Sequence, residues 1–558
     1  MRRICATIIT LCSLLSVFAI DVNDNVISPL YESTYIIHEK DGNISDVKCN
    51  TAATFLATRH DDRVIDLIFY GDVLKIDKVS APGVKPIYRA YEGDEMFYTG
   101  SKVCIIDLPL EKGKEKKVSS ERTYTRPEHF CDIPVSVRHY TLEYITKIIV
   151  PKKIANKINV RLINATDSMC LDRQVAKDGS VTYILKQTNM KPYKSEPLAP
   201  PFAFCNPSIL VTGYFDDLQS MYDYFRTFCC DEDPDSATVT DLANNITTHC
   251  ANDFDRIDSI ANWVRQNIRY LAIEHGDYAM KPDLPSQVIK KRFGDCKCSA
   301  NLIKAMLRAV GIDGRLVWIG TNDEILTEWD EVPALCSGNH MIAAAVLPDT
   351  TIFIDGTSGF SPAGFISPMI SSRKALMENG DSYQLVSIPE AGVTESILHG
   401  SFKIVNDDLV GEMTNVLKGV FKMSFAKHYY SSDYKKRENL FRRWLIYPKK
   451  NVECDSGKIV MQSPSDKEII LSAHVTDRGA ARKIGDIIYV DLLPIRDFVL
   501  EPVPLSDRKY GVSNPFTYVL KTKFELAIPD GYAIREFPEK ESFDSDWFNG
   551  YIEYRNNG

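Results

Sequence analysis

The sequence predicts a multidomain chain: a β-sandwich-like N-terminal domain, a central α+β domain and a mainly β C-terminal domain. Three observations predict it. The 558 residues are too many for one core and suit roughly three or four domains. Short runs of β-branched and aromatic residues, separated by polar turns, fill both ends of the chain. Between them, from about residue 211 to 395, apolar residues recur at helical spacing and then give way to strands.

The first residues read "MRRICATIITLCSLLSVFAIDVNDN". Arg2 and Arg3 make a basic start, and the apolar run from Ile4 to Phe18 falls short of the ~20 residues a spanning helix needs. Val17-Phe18-Ala19 offers a compact cleavage point, so residues 1–19 read as a secretory signal removed after Ala19. Leu11 before Cys12 weakens a lipid-anchor reading, and an uncleaved anchor is the remaining alternative. No later apolar run approaches the length of a span, so none is expected in the mature chain.

Residues 20–210 form the predicted N-terminal domain. "TYIIHEK", "RVIDLIFYG", "KVCIIDL", "TLEYITKIIV", "KINVRLI" and "VTYILKQ" have strand character, and few segments repeat at helical spacing. The proline-rich "EPLAPPFAF" punctuates its end.

Residues 211–395 change character. In "DFDRIDSIANWVRQNIRYLAI", Ile257, Ile260, Val264 and Ile268 recur every three or four residues, which predicts one buried helix face. A further helix follows Cys296, with Ala300, Ile303, Leu307 and Val310 as its stripe and Gly311 as its stop. "RLVWIG", "HMIAAAVL" and "TIFID" then read as strands. Residues 396–558 are again mostly β, with one helix expected around 420–446. The chain ends "GYIEYRNNG", a strand and hairpin-type turn residues without a return strand, which reads as an edge strand with a tail or as a domain cut short.

The net charge of −9 argues against nucleic acid as the main partner, because phosphate binding needs a basic face. Of the fourteen cysteines, all but Cys5 and Cys12 follow the leader, which suits an oxidising compartment but fixes no connectivity. The vicinal Cys229-Cys230 reads as packing or free thiol. Sequons at Asn43, Asn164 and Asn245 matter only in a glycosylating host.

The chemistry concentrates in "KKRFGDCKCSANLIKAMLRAVGI", residues 290–312. A thiol attacks a carbonyl as thiolate, and unpaired N–H groups at a helix start favour that anion. Gly294-Asp295 supplies a turn and a capping carboxylate just before Cys296. A cysteine nucleophile also needs a base, and the base an orienting group. In "GNHMIAAAVLPDTTIFIDGTSG", His340 opens one strand and Asp355 closes the next. If Pro348-Asp349 is a two-residue turn, Leu347 faces Thr350, Ile342 faces Asp355, and His340 is Asp355's diagonal neighbour on one face. Pro-Asp is not a favoured hairpin pair, and a slip of one residue would separate the two side chains.

A cysteine after Gly-Asp at a helix start, a histidine after Asn at a strand start, and an aspartate after an apolar strand resemble the transglutaminase-like, papain-related thiol superfamily. "IRYLAIEHGDYAMKPDLPSQVIKKRFGDCKCSA" and "IDGTSGFSPAGFISPMISSRKALME" resemble its secreted bacterial branch, whose members flank the thiol domain with β-rich domains. The resemblance implies a papain/transglutaminase-like central fold, with Cys296 as nucleophile, His340 as general base and Asp355 as its orienter. It further implies a protein or peptide substrate, peptidoglycan peptides included, attacked at an amide, with hydrolysis placed ahead of cross-linking. A Gram-negative periplasm or surface is the implied location. Relatives usually carry a carboxylate where this chain has Cys298, which is expected to pack rather than react. The Cys296 N–H is the natural oxyanion donor, with a second expected from Trp263 to Tyr278.

Three alternatives stay open. Cys296, Cys298, Cys336 and His340 could supply four zinc ligands, although C-x-C is tighter than the usual spacing. His275 is a second candidate base, but it precedes the thiol and matches no base of the superfamily. The fold could also serve as a non-catalytic envelope binding or scaffold protein. No twelve-residue calcium loop is present, so neither a metal requirement nor a cofactor is expected.

Overall fold

A computed structural model of the chain describes residues 25–91, 97–229, 232–446, 451–492, 508–546 and 548–556. The leader read over residues 1–19 and Cys230 lie outside the described residues. The chain is β-rich and multidomain, with an N-terminal β domain, a central α+β region and a C-terminal β domain. It divides into two compact units: one holds the described residues up to Gly392 with 508–516, the other the rest from Val393 onward.

In the first unit, a seven-stranded sheet carries the N-terminal domain. Its long strands Val26–Lys40 and Asn43–Ala57 pair antiparallel, and the first also pairs in parallel with Tyr140–Val150. Two three-stranded sheets cover its inner face. Val64 and Ile68 of one pack with Phe55 and Val118, while Ile133, Ile209 and Val211 of the other pack with Ile37, Val47 and Ile148. The alternation of apolar and polar residues along these strands is what puts one face of each into the core.

The central region places helices first and a sheet afterwards. Leu218–Arg226, Ser236–Thr247, Asp253–Asn267 and Pro285–Lys291 surround the helix Cys296–Ala309. Ile257, Ile260 and Val264 are fully buried and Ile268 nearly so, as their spacing predicts. The Cys296–Ala309 helix departs from a one-stripe reading: Lys297, Asn301 and Lys304 are buried as well as Ala300, Ile303 and Leu307. Up to Lys304 the helix is enclosed between other helices and a sheet, so its polar residues there must find partners inside. Lys304 does so through Glu378, at 2.7 Å.

The sheet behind it has five antiparallel strands in the order Thr351–Ile354, His340–Val346, Asp313–Ile319, Lys374–Asn379, Ser382–Ser387. Met341, Ala343 and Ala345 face the helix cluster, and Ile342 and Ala344 face a second apolar cluster with Val317, Phe353 and Ile370. Both faces are covered, which explains the nearly unbroken apolar run HMIAAAV.

The second unit, taken by itself, is a five-stranded sheet with two helices packed on it. The single helix expected over 420–446 is two, Val420–Ser431 and Tyr434–Ile446. Asp433 breaks the run by capping the second, its Oδ1 accepting from the Lys436 N–H at 3.0 Å. Among the described residues, no helix is long and apolar enough to cross a membrane.

Candidate active site

The short helix Pro285–Lys291 ends at Arg292, and after Phe293, Gly294 and Asp295 the chain enters the helix Cys296–Ala309. Asp295 caps that helix, its Oδ1 accepting from the Cys298 N–H at 3.1 Å. Cys296 is the first helical residue, where the helix leaves N–H groups without an internal acceptor. The segment 269–271 runs alongside the turn, with Arg269 N–H donating to Arg292 O at 2.9 Å and Leu271 N–H to Gly294 O at 3.0 Å. Gly294 permits the tight entry, because a Cβ there would lie 2.5 Å from the Cys298 Cβ.

His340 and Asp355 come from neighbouring strands. The ladder pairs Ala343 with Ile354 and Val346 with Thr351, and Leu347 N–H donates to Thr350 O at 2.8 Å. That is the register of a Pro348-Asp349 two-residue turn, and it makes His340 and Asp355 diagonal neighbours. Their side chains meet, with His340 Nε2 and Asp355 Oδ2 3.1 Å apart. Asp355 Oδ1 accepts from the Thr357 N–H at 2.9 Å and from its hydroxyl at 2.7 Å. Both carboxylate oxygens are therefore held. The Cys296 thiol is close enough to the His340 ring to act on its charge.

The strand end approaches the thiol helix closely. At Gly356, a Cβ would stand 2.8 Å from the Ser299 Cβ and 3.0 Å from the Ile303 Cδ1. A side chain at this position would force the helix or the strand end that carries Asp355 to shift.

The electrostatics follow from burial and partners. Burial works against charge on His340, but Asp355 and then Cys296 outweigh it and raise the imidazole to about 10. Burial likewise opposes charge on Asp355, and His340 and Thr357 reverse it, holding the carboxyl well below the usual carboxylate range. A buried imidazole so placed carries its proton at neutral pH. Burial also opposes the Lys297 charge, yet Asp295, which Lys297 contacts directly, and Glu274 raise its ammonium above the ordinary lysine range. Cys296, His340 and Asp355 are 6%, 8% and 7% exposed, so the group is screened from bulk water.

The other sequence candidates lie elsewhere. Cys298 is buried, its sulfur takes the Asp283 N–H at 3.4 Å, and burial with the Asp295 charge pushes its thiol up to about 12. His275 pairs with Asp72 at 3.1 Å and lies against Gly100. Cys336 directs its sulfur at the Cys131 carbonyl, 4.0 Å away, and not at Cys296. Among the described residues, no three His, Cys, Asp or Glu side chains gather closely enough to hold a metal ion.

Sequence reasoning missed Arg265. Its Nε and Nη2 donate to the Asp355 carbonyl oxygen at 3.0 and 2.7 Å, and its Nη1 donates to Ser361 O at 2.8 Å. Burial pulls its guanidinium down to about 10, against the charges of Asp355 and Asp258, so it stays cationic at neutral pH. A signal existed: Ile257, Ala261 and Arg265 are four apart, which places the arginine on the apolar face.

Comparison with known proteins agrees with this region. The sequence model of the transglutaminase-like superfamily matches residues 240–352, a span holding Cys296 and His340 and ending just before Asp355. These residues constitute a transglutaminase-like domain. No curated protein matches the chain. Among solved structures, a "putative protease" from Parabacteroides distasonis ATCC 8503 matches at 9% identity and TM-score 0.49, covering 82% of this chain and 94% of its own. The M1 zinc metallopeptidase from Deinococcus radiodurans matches at 14% identity and TM-score 0.20, covering 34% of this chain and 42% of its own.

Proposed function

We propose that this chain is a secreted thiol enzyme that acts on amide bonds of proteins or peptides, peptidoglycan peptides included. One observation carries the reading: a single buried imidazole meets Asp355 at 3.1 Å and has the Cys296 thiol in its immediate neighbourhood. In this reading the Cys296 thiolate adds to an amide carbonyl, and the backbone N–H of Cys296 receives the developing oxyanion. The imidazolium of His340 gives its proton to the leaving amine, the C–N bond breaks, and a thioester remains. His340, now neutral, takes a proton from the incoming water as its oxygen adds to the thioester; the C–S bond breaks, which releases the acid and restores the Cys296 thiolate beside the imidazolium. A primary amine in place of water would complete a cross-link, and hydrolysis is the outcome placed first. Asp355 keeps the ring oriented and offsets its positive charge. The secreted location, in a Gram-negative periplasm or at the cell surface, rests on the leader-like start and on the family resemblance.

The shallow exposure of the three residues favours a second reading, in which the fold is kept as a scaffold with an inert thiol. A thiol-directed electrophilic probe separates the two. It should label the wild-type protein at Cys296 and fail to label a Cys296→Ala variant; no reaction at Cys296 in the native protein would decide for the scaffold. A peptide-library digest read by mass spectrometry, with and without added primary amine, then assigns hydrolysis or transfer.

A further inference from the structure

The inner face of the N-terminal seven-stranded sheet is apolar towards both ends of its strands and polar between them. Ser33 stands opposite Thr51 on one side and Thr146 on the other, and Thr51 stands opposite Ser120. Four neighbouring strands thus carry a hydroxyl at the same level. These bond in pairs, Ser33 Oγ with Thr146 Oγ1 at 2.9 Å and Thr51 Oγ1 with Ser120 Oγ at 2.7 Å. Two residues along, Tyr35 stands opposite Cys49, and Cys49 opposite Arg122. Phe55 and Val118 belong to one apolar cluster and Ile37 and Val47 to another, with the polar band between them. The band gives the sheet a polar floor inside an otherwise apolar core.

Over this floor lies a cavity of about 230 Å³, roughly half as large again as the ~150 Å³ that holds a benzene ring. The strands Asp62–Tyr70 and Asp132–Pro134, one from each covering sheet, bring Asp66 and Asp132 to it. The polar groups around it are not spent on one another. Tyr35 and Tyr124, which line it, are 8% and 5% exposed, and neither hydroxyl has a hydrogen-bond partner among the described residues. Arg122 Nε is buried without a partner, and its Nη atoms reach only Phe69 O at 3.2 Å and Cys49 Sγ at 3.4 Å. On the acceptor side, Asp66 takes only the Leu67 N–H, at 3.1 Å, and the half-buried Asp132 carboxylate takes no hydrogen bond among the described residues. Burial raises both carboxyls, that of Asp132 to about 6.

This mixture excludes a simple ion. An anion drawn to Arg122 would meet Asp66 and Asp132, and a cation drawn to the carboxylates would meet Arg122. A neutral ligand whose groups both donate and accept suits the whole set, and a hydroxyl does both. Tyr31 and Tyr144 line the same cavity, stacked with centroids 5.3 Å apart, and offer an apolar surface to the C–H face of a ring.

We propose that this cavity binds one neutral sugar ring, its hydroxyls donating to Asp66 and Asp132 and accepting from Arg122, Tyr35 and Tyr124. The ring is either a free monosaccharide or the end residue of a glycan. None of the residues that line the cavity belongs to the thiol site, so failure here would leave the catalytic reading intact.

Isothermal titration calorimetry on the full chain tests this with methyl glucoside, methyl galactoside and N-acetylglucosamine, against cationic glucosamine and anionic glucuronate. Saturable binding of at least one neutral sugar is expected, with both charged sugars about tenfold weaker or more. The double variant Y35F/Y124F and the variant D132N should each weaken that binding about tenfold or more. Thermal unfolding confirms that the variants are folded, and Y35F/Y124F keeps the ring packing should D132N fail to fold. A matching trisaccharide that binds more tightly than its monosaccharide identifies a glycan end, and one that binds equally or more weakly identifies a free sugar. No saturable neutral-sugar binding up to about 50 mM, charged sugars bound as tightly, or wild-type affinity in either folded variant would overturn the assignment.

Discussion

Arg265 grips the main chain of Asp355 with two hydrogen bonds, 2.7 and 3.0 Å, to one carbonyl oxygen. The residue that orients His340 is thus itself positioned from a different helix. Removing the guanidinium in R265M leaves the Asp355 and Ser361 carbonyls unpaired, at about 1–3 kcal/mol for each. R265K keeps the charge but cannot make the forked contact, so it should recover only part of that loss. Denaturant titration reads the stability, and the pH profile of Cys296 alkylation reads the positioning. If R265K alkylates with the wild-type rate and profile, Arg265 has only a structural role.

The His340–Asp355 pair makes stability depend on pH in two directions. The His340 imidazole, raised to about 10, sits above its unfolded value near ~6.5, so its contribution is complete below ~6.5 and is lost as pH climbs towards 10. Asp355 is held below its unfolded value of ~3.9, so its contribution is complete above ~3.9 and is lost on further acidification. Asp355→Asn removes the charge that holds the proton on the ring. In nitrogen NMR of labelled histidine, His340 should remain an imidazolium at pH 8 in the wild type and be neutral there in the variant. A neutral His340 at pH 7 in the wild type would contradict the assignment.

Much of this was legible in sequence, for identifiable reasons. Strand and helix regions announced themselves through periods of two and of three to four. The His340–Asp355 register was readable because a two-residue turn fixes every pair above it. Other features depend on long-range contact. Nothing local marks Lys297 and Asn301 as buried, since that follows from the four helices gathered around theirs. Arg265 looked like an ordinary polar residue until the four-residue ladder from Ile257 was followed. The split at Asp433 was a capping residue inside an otherwise helical run.

Cys298 is buried beside two carboxylates, and its surroundings say why this position resists a third. Its sulfur receives the Asp283 N–H, and its neighbours include the carboxylates of Asp283 and Asp295. The cation nearby, Lys297, is already committed to Asp295. C298D should therefore destabilise the protein by about 3 kcal/mol, the scale of an uncompensated buried charge. C298A should cost about 1 kcal/mol for the lost packing, with Cys296 labelling retained. Wild-type stability in C298D would show that Lys297 serves both sites.

Gly356 tests whether the strand end must touch the thiol helix. An added Cβ would meet the Ser299 Cβ at 2.8 Å and the Ile303 Cδ1 at 3.0 Å, so either the helix or the Asp355 strand end has to move. Neither neighbour is the free end of a flexible side chain: the Ser299 Cβ is fixed to the helix backbone, and Ile303 is fully buried. G356A should therefore cost about 1–3 kcal/mol, the range for an overfilled core. It should also slow Cys296 alkylation by displacing Asp355 and His340. The double variant S299G/G356A removes the closer contact. Its helix pays about 1 kcal/mol for the extra glycine, so stability recovers only in part. Alkylation should nonetheless return towards the wild-type rate, because the strand end regains its place. Slow alkylation that persists in a folded double variant would show that the approach at Gly356 does not set the geometry of the thiol and imidazole.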